Sequence, residues 1–517
     1  MGGMRAGRAR RWLLVGVAAA SIAGLLGGCA SWFTAPRVSV TSHPTGEKVA
    51  ANLKDFYSQV LTWKNCGRHM QCATATAPMN WADPSAARIK LALVRQPATG
   101  GDSKGSLLVN PGGPGGSGFD FIHDSVDFAV STRLQREYDI IGFDPRGVGR
   151  SSAVSCFDDP KVMDQYAFGI IPGVEGSPEW IAASEKESAD FAAGCLKYTG
   201  PLLQYVDTVS AARDLDLLRA ILGDRKLNYL GFSYGTFLGA TYAELYPKKT
   251  GHLVLDGALD PATSDDDVTL FQAEGFEKAL RAYLADCLDR DNCPFRGTVD
   301  AAEQRIARIL AKLEVQPIRA DDGRQLGSGT MFTAIIVPLY NPDNWYALDQ
   351  LFAEVQDHDA TTAFVLADSY YERDADGTYT SNSTEAFMAI NCLDYPPAVR
   401  TESPEAQAAE LEKVAPVFGP LMAYGETGCP GWPFPSTRER GPITAAGSSD
   451  ILVIGTTNDP ATPYKWAQAL AAELQNGHLI TYKGEGHTAY NKSNSCVDNA
   501  VDDYFIDDVV PKSDPRC

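Results

Sequence analysis

The sequence predicts an α/β fold in which a mostly parallel sheet is covered by helices on both faces. Short, β-branched apolar runs bounded by Gly, Pro or Asp recur along the chain, and stretches with helical spacing separate many of them. Runs that are apolar almost throughout are typical of strands buried on both faces, as in parallel sheets. The strands are expected at RIKLALVRQP, GSLLVNPGG, EYDIIGFDP, LNYLGFS, HLVLDGA, DILVIGTTND and HLITYKGEG.

The interval between the fifth and sixth of these strands, residues 262–445, has a different pattern. It is rich in helical periodicity and aromatic residues and has no convincing buried strand. We expect an inserted helical cap lobe here, so that the sheet domain is split into residues 85–261 and 446–517. Residues 29–84 are expected to form a linker and a small disulfide-pinned region. A chain of 517 residues is long enough for more than one lobe.

Residues 1–28 have the pattern of a signal peptide, with a basic start followed by the apolar run WLLVGVAAASIAGLLGG. The run ends in Leu-Gly-Gly-Cys29, which resembles a bacterial lipobox. We therefore expect an exported protein that carries lipid on Cys29 and is held at the outer face of the plasma membrane. An uncleaved anchor and an ordinary secretory signal are the alternatives. The pair Arg10-Arg11 is only a weak indication of twin-arginine export.

The net charge limits the choice of partners. Residues 1–28 contain four arginines and no acidic residue, so their removal changes the formal charge from -20 to -24. Such a charge argues against nucleic acids and anionic membrane surfaces, and it is compatible with ligands that carry a positive group. The sequence as a whole implies no cofactor and no metal, and it leaves the oligomeric state open.

The eleven cysteines are best explained as one lipid site and a set of disulfides. Assigning Cys29 to lipid leaves ten, an even number. Export favours disulfides, and scattered spacing without a C-x-x-C pair argues against zinc. Connectivity cannot be deduced from the sequence, but the simplest pairing joins neighbours: Cys66–Cys72, Cys156–Cys195, Cys287–Cys293, Cys392–Cys429 and Cys496–Cys517.

Ser233 is the candidate nucleophile. It lies at the centre of GFSYG, a G-x-S-x-G motif between the strand LNYLG and the helix TFLGATYAELYP. Both glycines permit a close approach of strand and helix, so the turn would lift the Ser233 hydroxyl to the carboxyl edge of the sheet. The simpler alternative is a serine that caps a helix.

His487 is the candidate general base. It follows the last strand, in YKGEGHTAY, and therefore belongs at the same edge as Ser233. The other six histidines are expected at the opposite edge (His252, His478), before the sheet domain (His43, His69), after the Gly-rich loop (His123) or in the cap (His358).

Asp459 is the candidate acid that orients this histidine. It follows the strand DILVIGTTN and precedes His487, which is the chain order that this arrangement requires. Asp256, after HLVL, is the alternative acid. Asp144, in FDPRGVGRSS, is expected to be structural and to hold its loop through Arg146.

The loop NPGGPGGSG is expected to complete an oxyanion hole. Its glycines leave backbone N–H groups unobstructed, and the amide of Gly113 would act together with that of Tyr234, the residue after the nucleophile. A phosphate-binding loop is the alternative, but the Gly-Lys-Ser/Thr ending is missing.

The motifs NPGGPGGSG, GFDPRGVGRS, GFSYG, TTNDPATPY and GEGHT, in this order, resemble the tripeptidyl-aminopeptidase-like branch of the proline iminopeptidase family. The resemblance implies an α/β-hydrolase fold from about residue 85 to the C terminus. It places the catalytic triad at Ser233, Asp459 and His487, and the oxyanion loop at 112–115. Asn110-Pro111 replaces the His that proline iminopeptidases have before these glycines, which argues against release of single prolines.

The family implies a serine peptidase that holds the free N terminus of its substrate with cap acids and releases a short peptide, a tripeptide in this branch. Asp394, in AINCLDYPP, is the candidate amine anchor, and a solvated loop acid is the alternative. An esterase, a lipase or an endopeptidase of the same fold is the next hypothesis. A lipoprotein that binds peptides without turnover is a remote third.

Overall fold

The computed structural model describes residues 40–396, 404–424, 429, 431–436 and 438–517. The expected signal segment and Cys29 lie outside these ranges. The strands in the described residues are β1 (Val40–Thr41), β2 (Thr62–Gly67), β3 (Met70–Pro78), β4 (Arg88–Gln96), β5 (Ser106–Asn110), β6 (Asp139–Phe143), β7 (Leu227–Phe232), β8 (Thr250–Asp256), β9 (Ile318–Arg319), β10 (Gln325–Leu326), β11 (Ile451–Asn458) and β12 (Gly477–Glu485).

Ten of these strands form one sheet in the described part of the chain, in the order β1-β2-β3-β4-β6-β5-β7-β8-β11-β12. The six strands from β6 to β12 run parallel to one another, and the pairs from β1 to β6 are antiparallel. Each of the seven expected strands is present. The predicted α/β class with a mostly parallel sheet is confirmed.

Helices cover both faces of this sheet. The helices of the sheet domain are α1 (Lys54–Tyr57), α2 (Gly118–Ala129), α3 (Thr132–Glu137), α4 (Pro160–Phe168), α5 (Pro178–Thr199), α6 (Thr208–Leu222), α7 (Tyr234–Leu245), α16 (Tyr464–Glu473) and α17 (Ser495–Asp507). In β5, Leu108 packs on the α6 and α7 side while Leu107 and Val109 pack on the α2 and α17 side. This alternation explains why the strand is apolar throughout.

The N-terminal part of the described chain corrects one expectation. Residues 29–84 were expected to form a linker and a small disulfide-pinned region before the sheet domain, but in the described part of this segment β1, β2 and β3 extend the main sheet from its antiparallel end. The disulfide Cys66–Cys72 joins the two strands of the β2–β3 hairpin. The pattern was hard to recognise because β3 (MQCATATAP) buries mostly small side chains instead of a long apolar run.

The interval between β8 and β11 forms a helical lobe with its own core, here called the cap. Its helices are α8 (Asp265–Leu288), α9 (Val299–Val315), α10 (Ser328–Leu339), α11 (Trp345–Gln356), α12 (Thr361–Tyr371), α13 (Ser383–Asp394), α14 (Pro404–Val414) and α15 (Gly419–Met422). The cap core also includes Phe168, from the end of α4. An ion pair between Arg373 and Asp164 of α4 adds to this contact, so residues assigned to the sheet domain support the cap.

Five disulfides occur in the described residues, and each joins two cysteines that are neighbours in the sequence. They are Cys66–Cys72, Cys156–Cys195, Cys287–Cys293, Cys392–Cys429 and Cys496–Cys517. These are the pairs that the simplest reading of the spacing predicted. Within the described residues, no helix is both long and apolar enough to cross a bilayer.

A buried carboxyl group lies inside the cap. Glu277 of α8 is 3% exposed, and its Oε2 accepts hydrogen bonds from the N–H groups of Val417 (3.1 Å) and Phe418 (3.2 Å). Burial, together with the neighbouring Glu303, raises the pKa of Glu277 from its usual value near 4.5 to about 8. Glu303 is itself paired with Arg281, on the next turn of α8.

This pKa shift predicts that the protein loses stability as the pH rises. The folded state binds a proton on Glu277 that the unfolded chain releases above about pH 4.5, so the stabilisation disappears between that pH and about 8. Glu277→Gln keeps the shape of the protonated group. We expect the variant to melt within about 1 °C of the wild type at pH 5 and about 2–5 °C above it at pH 9.

Thermal unfolding followed by circular dichroism across this pH range provides the measurement. Glu274→Gln is the matched control, because Glu274 lies on the same helix but is paired with Lys278, which holds its pKa below the usual value. A gain at pH 9 that Glu274→Gln reproduces, or no gain for Glu277→Gln, would contradict the assignment.

Candidate active site

The candidate residues follow strands that end at one edge of the sheet. Ser233 follows β7, Asp459 follows β11, and His487 lies two residues beyond β12. Parallel strands place their carboxyl ends together. The register agrees, since Phe232 is paired with Asp256 and Asn458 with Glu485 at the ends of their strands.

Ser233 sits on a strained turn between β7 and α7. Its φ of 54° and ψ of -125° are uncommon for a residue with a side chain. The Ser233 N–H donates to the carbonyl of Asp256 (2.9 Å), and the Ser233 carbonyl accepts from the N–H (2.8 Å) and hydroxyl (2.6 Å) of Thr236. These bonds fix the backbone and leave the serine side chain partly exposed. The alternative of a helix-capping serine is not supported, because the Ser233 side chain makes no cap bond.

Glycines allow the close packing around this turn. A Cβ at Gly231 would lie 2.4 Å from the carbonyl oxygen of Gly235, and a Cβ at Gly235 would lie 2.8 Å from Asn110 Oδ1, which explains both glycines of the motif. A Cβ at Gly112 would lie 2.5 Å from the carbonyl oxygen of Phe232 and 2.8 Å from the Cβ of Ser233. The Gly-rich loop after β5 therefore lies directly against the serine, and any larger residue at Gly112 would displace one or the other.

Asp459 and His487 are hydrogen-bonded to each other. The imidazole Nδ1 is 2.9 Å from Asp459 Oδ1 and 3.0 Å from Oδ2. The carboxylate is 2% exposed and also accepts from the N–H groups of Ala461 and Thr462 and from the Thr462 hydroxyl. With its Nδ1 held by a carboxylate, the ring would present Nε2 as the proton acceptor.

His487 also lies next to the strand that neighbours Ser233. A Cβ at Gly257 would be 3.2 Å from His487 Cε1, and Gly257 directly follows Asp256, whose carbonyl accepts from the Ser233 N–H. Within the described residues no hydrogen bond joins the Ser233 hydroxyl to His487. Such bonds are often long in free enzymes and shorten when substrate binds.

The acid at the end of the neighbouring strand β8 has a structural role. Asp256, the alternative acid, is fully buried and accepts from the N–H groups of Ala489 and Tyr490, so it holds the loop after His487 and does not contact the imidazole. Burial raises the pKa of Asp256.

Asp144 is also structural, but not through Arg146 as expected. It accepts from Ser117 and from the N–H of Arg150, whereas Arg146 makes two bonds to the buried Asp214. The sequence offers Asp144 as a nearby partner for Arg146, and it gives no sign that Arg146 pairs instead with Asp214 on α6, 68 residues later.

The two backbone amides predicted for the oxyanion hole are available in the structure. Among the described residues, the N–H groups of Gly113 and Tyr234 have no acceptor, whereas that of Gly112 donates to the Asn110 side chain (3.0 Å). Tyr234 is the first residue of α7, so the helix dipole also favours negative charge next to its N–H group. The arrangement leaves the predicted pair, Gly113 and Tyr234, as the candidate donors.

The cap rests on all three loops that carry these groups. A Cβ at Gly275 of α8 would lie 2.6 Å from the Pro460 carbonyl oxygen, and a Cβ at Gly115 would lie 2.5 Å from the carbonyl oxygen of Ser383, at the start of α13. The carbonyl of Tyr340, just after α10, accepts from the His487 N–H (2.8 Å). The Tyr340 ring packs edge-on against the imidazole, with 5.4 Å between ring centroids.

Asp394 lies at the end of α13 and is 1% exposed. Its Oδ1 accepts from the Thr208 N–H (3.0 Å) and lies 3.4 Å from Arg438 Nη1, and its Oδ2 accepts from the Thr208 hydroxyl. It is therefore not a solvated loop acid. In this conformation Arg438 and Thr208 occupy both oxygens, so a substrate amine would have to displace one of them.

Sequence reasoning did not identify Thr462 and Tyr340. Thr462 bonds Asp459, and its hydroxyl lies 3.3 Å from His487 Nδ1. An Asp followed directly by Pro and, two residues after the proline, by Thr is typical of a turn in which the carboxylate accepts nearby N–H groups, which could have indicated Thr462. Nothing in the sequence around Tyr340 indicates its contact with a histidine 147 positions later, because the contact depends on how the cap docks.

Comparison with known proteins finds relatives that align with most of the chain. Residues 105–327 match the family described as alpha/beta hydrolase fold, and residues 415–517 match the family described as TAP-like protein. The chain is 37% identical over 463 residues to serine protease Hip1 of Mycobacterium tuberculosis (strain ATCC 25618 / H37Rv), with 86% of this chain and 87% of the relative covered.

Two further relatives cover a similar share. Carboxylesterase B of the same strain is 39% identical over 462 residues, with 87% of this chain and 86% of the relative covered. Tripeptidyl aminopeptidase of Streptomyces lividans is 29% identical over 476 residues, with 88% and 86% covered. The chain therefore belongs to the α/β-hydrolase family, in the branch with a TAP-like C-terminal region that its sequence motifs predicted.

Proposed function

We propose that the protein is an exported serine peptidase that removes short peptides, most notably tripeptides, from free N termini. The observation that carries the proposal is the hydrogen-bonded pair Asp459–His487 at the sheet edge where the strained turn holds Ser233. A pure peptide-binding protein has no need for this combination. Relatives named as a serine protease and as a tripeptidyl aminopeptidase support the peptidase class.

In the proposed mechanism, His487 Nε2 removes the proton from the Ser233 hydroxyl as Oγ bonds to the scissile carbonyl carbon. The negative charge that develops on the carbonyl oxygen is stabilised by the N–H groups of Gly113 and Tyr234. His487 then gives its proton to the leaving amine, and the C–N bond breaks to leave an acyl-enzyme. Water, deprotonated by His487, hydrolyses this ester and frees the short peptide and Ser233. Asp459 keeps the imidazole in the required tautomer throughout.

The position of the cap favours short chain ends over the interior of a folded protein. Helix α8 contacts the Asp459 loop, Tyr340 contacts His487, and α13 contacts the Gly-rich loop, so the serine lies beneath the cap. A long chain that extends in both directions from the cut would need an opening at both sides of this lobe. A peptide terminus needs only one, which supports an exopeptidase over an endopeptidase.

The family resemblance implies that Asp394 binds the substrate amine, and the kinetics of Asp394→Asn distinguish this role from a positioning role within the protein. Asp394 Oδ1 lies 3.4 Å from Arg438 Nη1 in this conformation. The net negative charge of the chain supports a ligand with a positive group. Five disulfides in the described residues support export to an oxidising compartment. Lipid attachment at Cys29 is part of the same proposal.

A carboxylesterase is the second candidate function. A relative of that name is 39% identical, and a serine, histidine and aspartate with two amide donors attack esters as readily as peptides. The two functions differ in the substrate that the enzyme requires. Only the aminopeptidase requires a free amine on the acyl side of the bond that is cut.

Digestion of matched peptides tests this proposal. The mature protein is incubated with peptides of six to ten residues, each made with a free and with an acetylated N terminus, and products are identified by mass spectrometry. We expect three-residue products from the free peptides, and a loss in kcat/KM of about 10²-fold or more on acetylation. Cleavage at internal sites regardless of acetylation would establish an endopeptidase. Hydrolysis of acyl esters without any peptide product would establish the esterase.

A further inference from the structure

One buried ion pair contacts the helix that begins directly after the nucleophile. Asp394, at the end of α13, and Arg438, in the segment that returns from the cap, lie 3.4 Å apart. We propose that the Asp394–Arg438 pair is a positioning element that holds helix α7 so that the Tyr234 N–H is aimed at the oxyanion. This inference rests on the proposed function, in which that N–H stabilises the developing charge.

Asp394 reaches Tyr234 through a single hydroxyl group. The Asp394 carboxylate accepts both the N–H and the hydroxyl of Thr208, and the Thr208 hydroxyl is hydrogen-bonded to the Tyr234 hydroxyl. Tyr234 is the first residue of α7 and is 5% exposed. Movement of the Tyr234 side chain would therefore move the start of α7, where the candidate oxyanion donor lies.

Arg438 contacts the same helix further along. Its Nη2 donates to the Thr241 hydroxyl (3.1 Å), and its guanidinium carbon lies 4.3 Å from the centre of the Phe237 ring. Tyr234, Phe237 and Thr241 have the spacing i, i+3 and i+7, which places them on one face of a helix. The ion pair thus holds two turns of α7 along that face.

Burial raises the pKa of the Asp394 carboxyl, and the hydrogen bonds from Thr208 oppose this rise. Thr208 is the first residue of α6, so its N–H is one of the unpaired amides at a helix N terminus, where a carboxylate is favoured. The other charged groups that face Asp394 are Arg438, which opposes the rise in pKa, and Asp207, which adds to it.

A disulfide joins the two segments that carry the pair. Cys392 lies two residues before Asp394, and Cys429 lies nine residues before Arg438. The Cys392–Cys429 bond therefore keeps the end of α13 and the returning segment together, independently of the ion pair. A contact that is tethered in this way is suited to fix geometry at the adjacent site.

The proposal predicts a change in kcat that does not depend on the substrate amine. In Asp394→Asn the carboxylate charge is lost while the size is kept. We expect kcat to fall about 10–100-fold with KM nearly unchanged, because small displacements at a reacting centre have effects of that size. The loss should be equal for free-amine peptides and for N-acetylated esters. Arg438→Gln should have a similar effect, and the double variant should be no worse than the single ones.

One control and one additional variant distinguish positioning of α7 from a general loss of stability. Asp349→Asn removes a buried cap carboxylate that pairs with Arg290 away from the site, so it should lower the melting temperature and leave kcat unchanged. Thr241→Val removes only the hydrogen bond from Arg438 to α7, and it provides the test if Asp394→Asn does not fold. It should lower kcat about 3–10-fold with both substrates.

The outcomes are distinct. If Asp394→Asn raises KM for free-amine peptides alone and leaves ester hydrolysis intact, Asp394 is an amine anchor and the positioning role is wrong. If both kinetic constants are unchanged in Asp394→Asn and in Thr241→Val, the pair does not position α7. If wild-type protein neither hydrolyses these substrates nor reacts with a fluorophosphonate, it is the proposed function that fails.

Discussion

Ser233→Ala is expected to lower kcat/KM by about 10⁴–10⁶-fold, because the alanine side chain cannot form the acyl-enzyme. The fold should be unaffected, since the bonds that hold the turn come from the backbone of Ser233 and from Thr236. The residual rate would come from the oxyanion donors and from substrate binding. Hydrolysis of a free-amine peptide provides the first measurement.

Covalent labelling provides a second measurement for the same variant. A fluorophosphonate should label the wild-type protein once per chain and should not label Ser233→Ala. Ser103→Ala is a suitable control, because that serine is exposed and accepts from the N–H of Asp139 at the start of β6, which lies at the opposite edge of the sheet. It should keep full labelling. Labelling that persists in Ser233→Ala would mean that another group is the nucleophile.

The sheet and the edge at which the site lies could be predicted because both depend on local signals. Each parallel strand is a short apolar run with a Gly, Asp or Asn at its end, and parallel strands bring those ends together. The order of the Gly-rich loop, Ser233, Asp459 and His487 then follows from the chain itself. The simplest disulfide pairing proved correct for a similar reason, since all five bonds join cysteines that are only 6 to 39 residues apart.

The contacts of the cap could not be predicted, because they join residues that are far apart in sequence. Asp394 accepts from Thr208, 186 residues earlier, and it is buried at the end of a helix, whereas the sequence left open whether it was an amine anchor or a solvated loop acid. A charged residue two positions before a Pro-Pro pair is ordinarily at the surface. Only the packing of α13 against α6 and α7 makes it part of the interior.

Asp459→Asn should have the second-largest effect, a loss in kcat of about 10⁴-fold. Asp459 Oδ1 accepts the N–H groups of Ala461 (3.0 Å) and Thr462 (2.8 Å), so an asparagine would direct its oxygen to those donors. Its amide nitrogen would then face His487 Nδ1. The imidazole would accept that proton at Nδ1 and carry its own proton on Nε2, which could no longer accept the proton of Ser233.

Asp256→Asn distinguishes the two acids that follow neighbouring strands. Asp256 accepts the backbone N–H groups of Ala489 and Tyr490, and it does not contact the imidazole. We expect Asp256→Asn to lower the melting temperature and to change kcat of the folded protein less than about tenfold. Kinetics normalised by fluorophosphonate titration, together with thermal unfolding, would measure both effects. If Asp256→Asn instead lost four orders of magnitude while Asp459→Asn stayed active, the orienting acid would belong to β8, and the bond between Asp459 and His487 would have only a structural role.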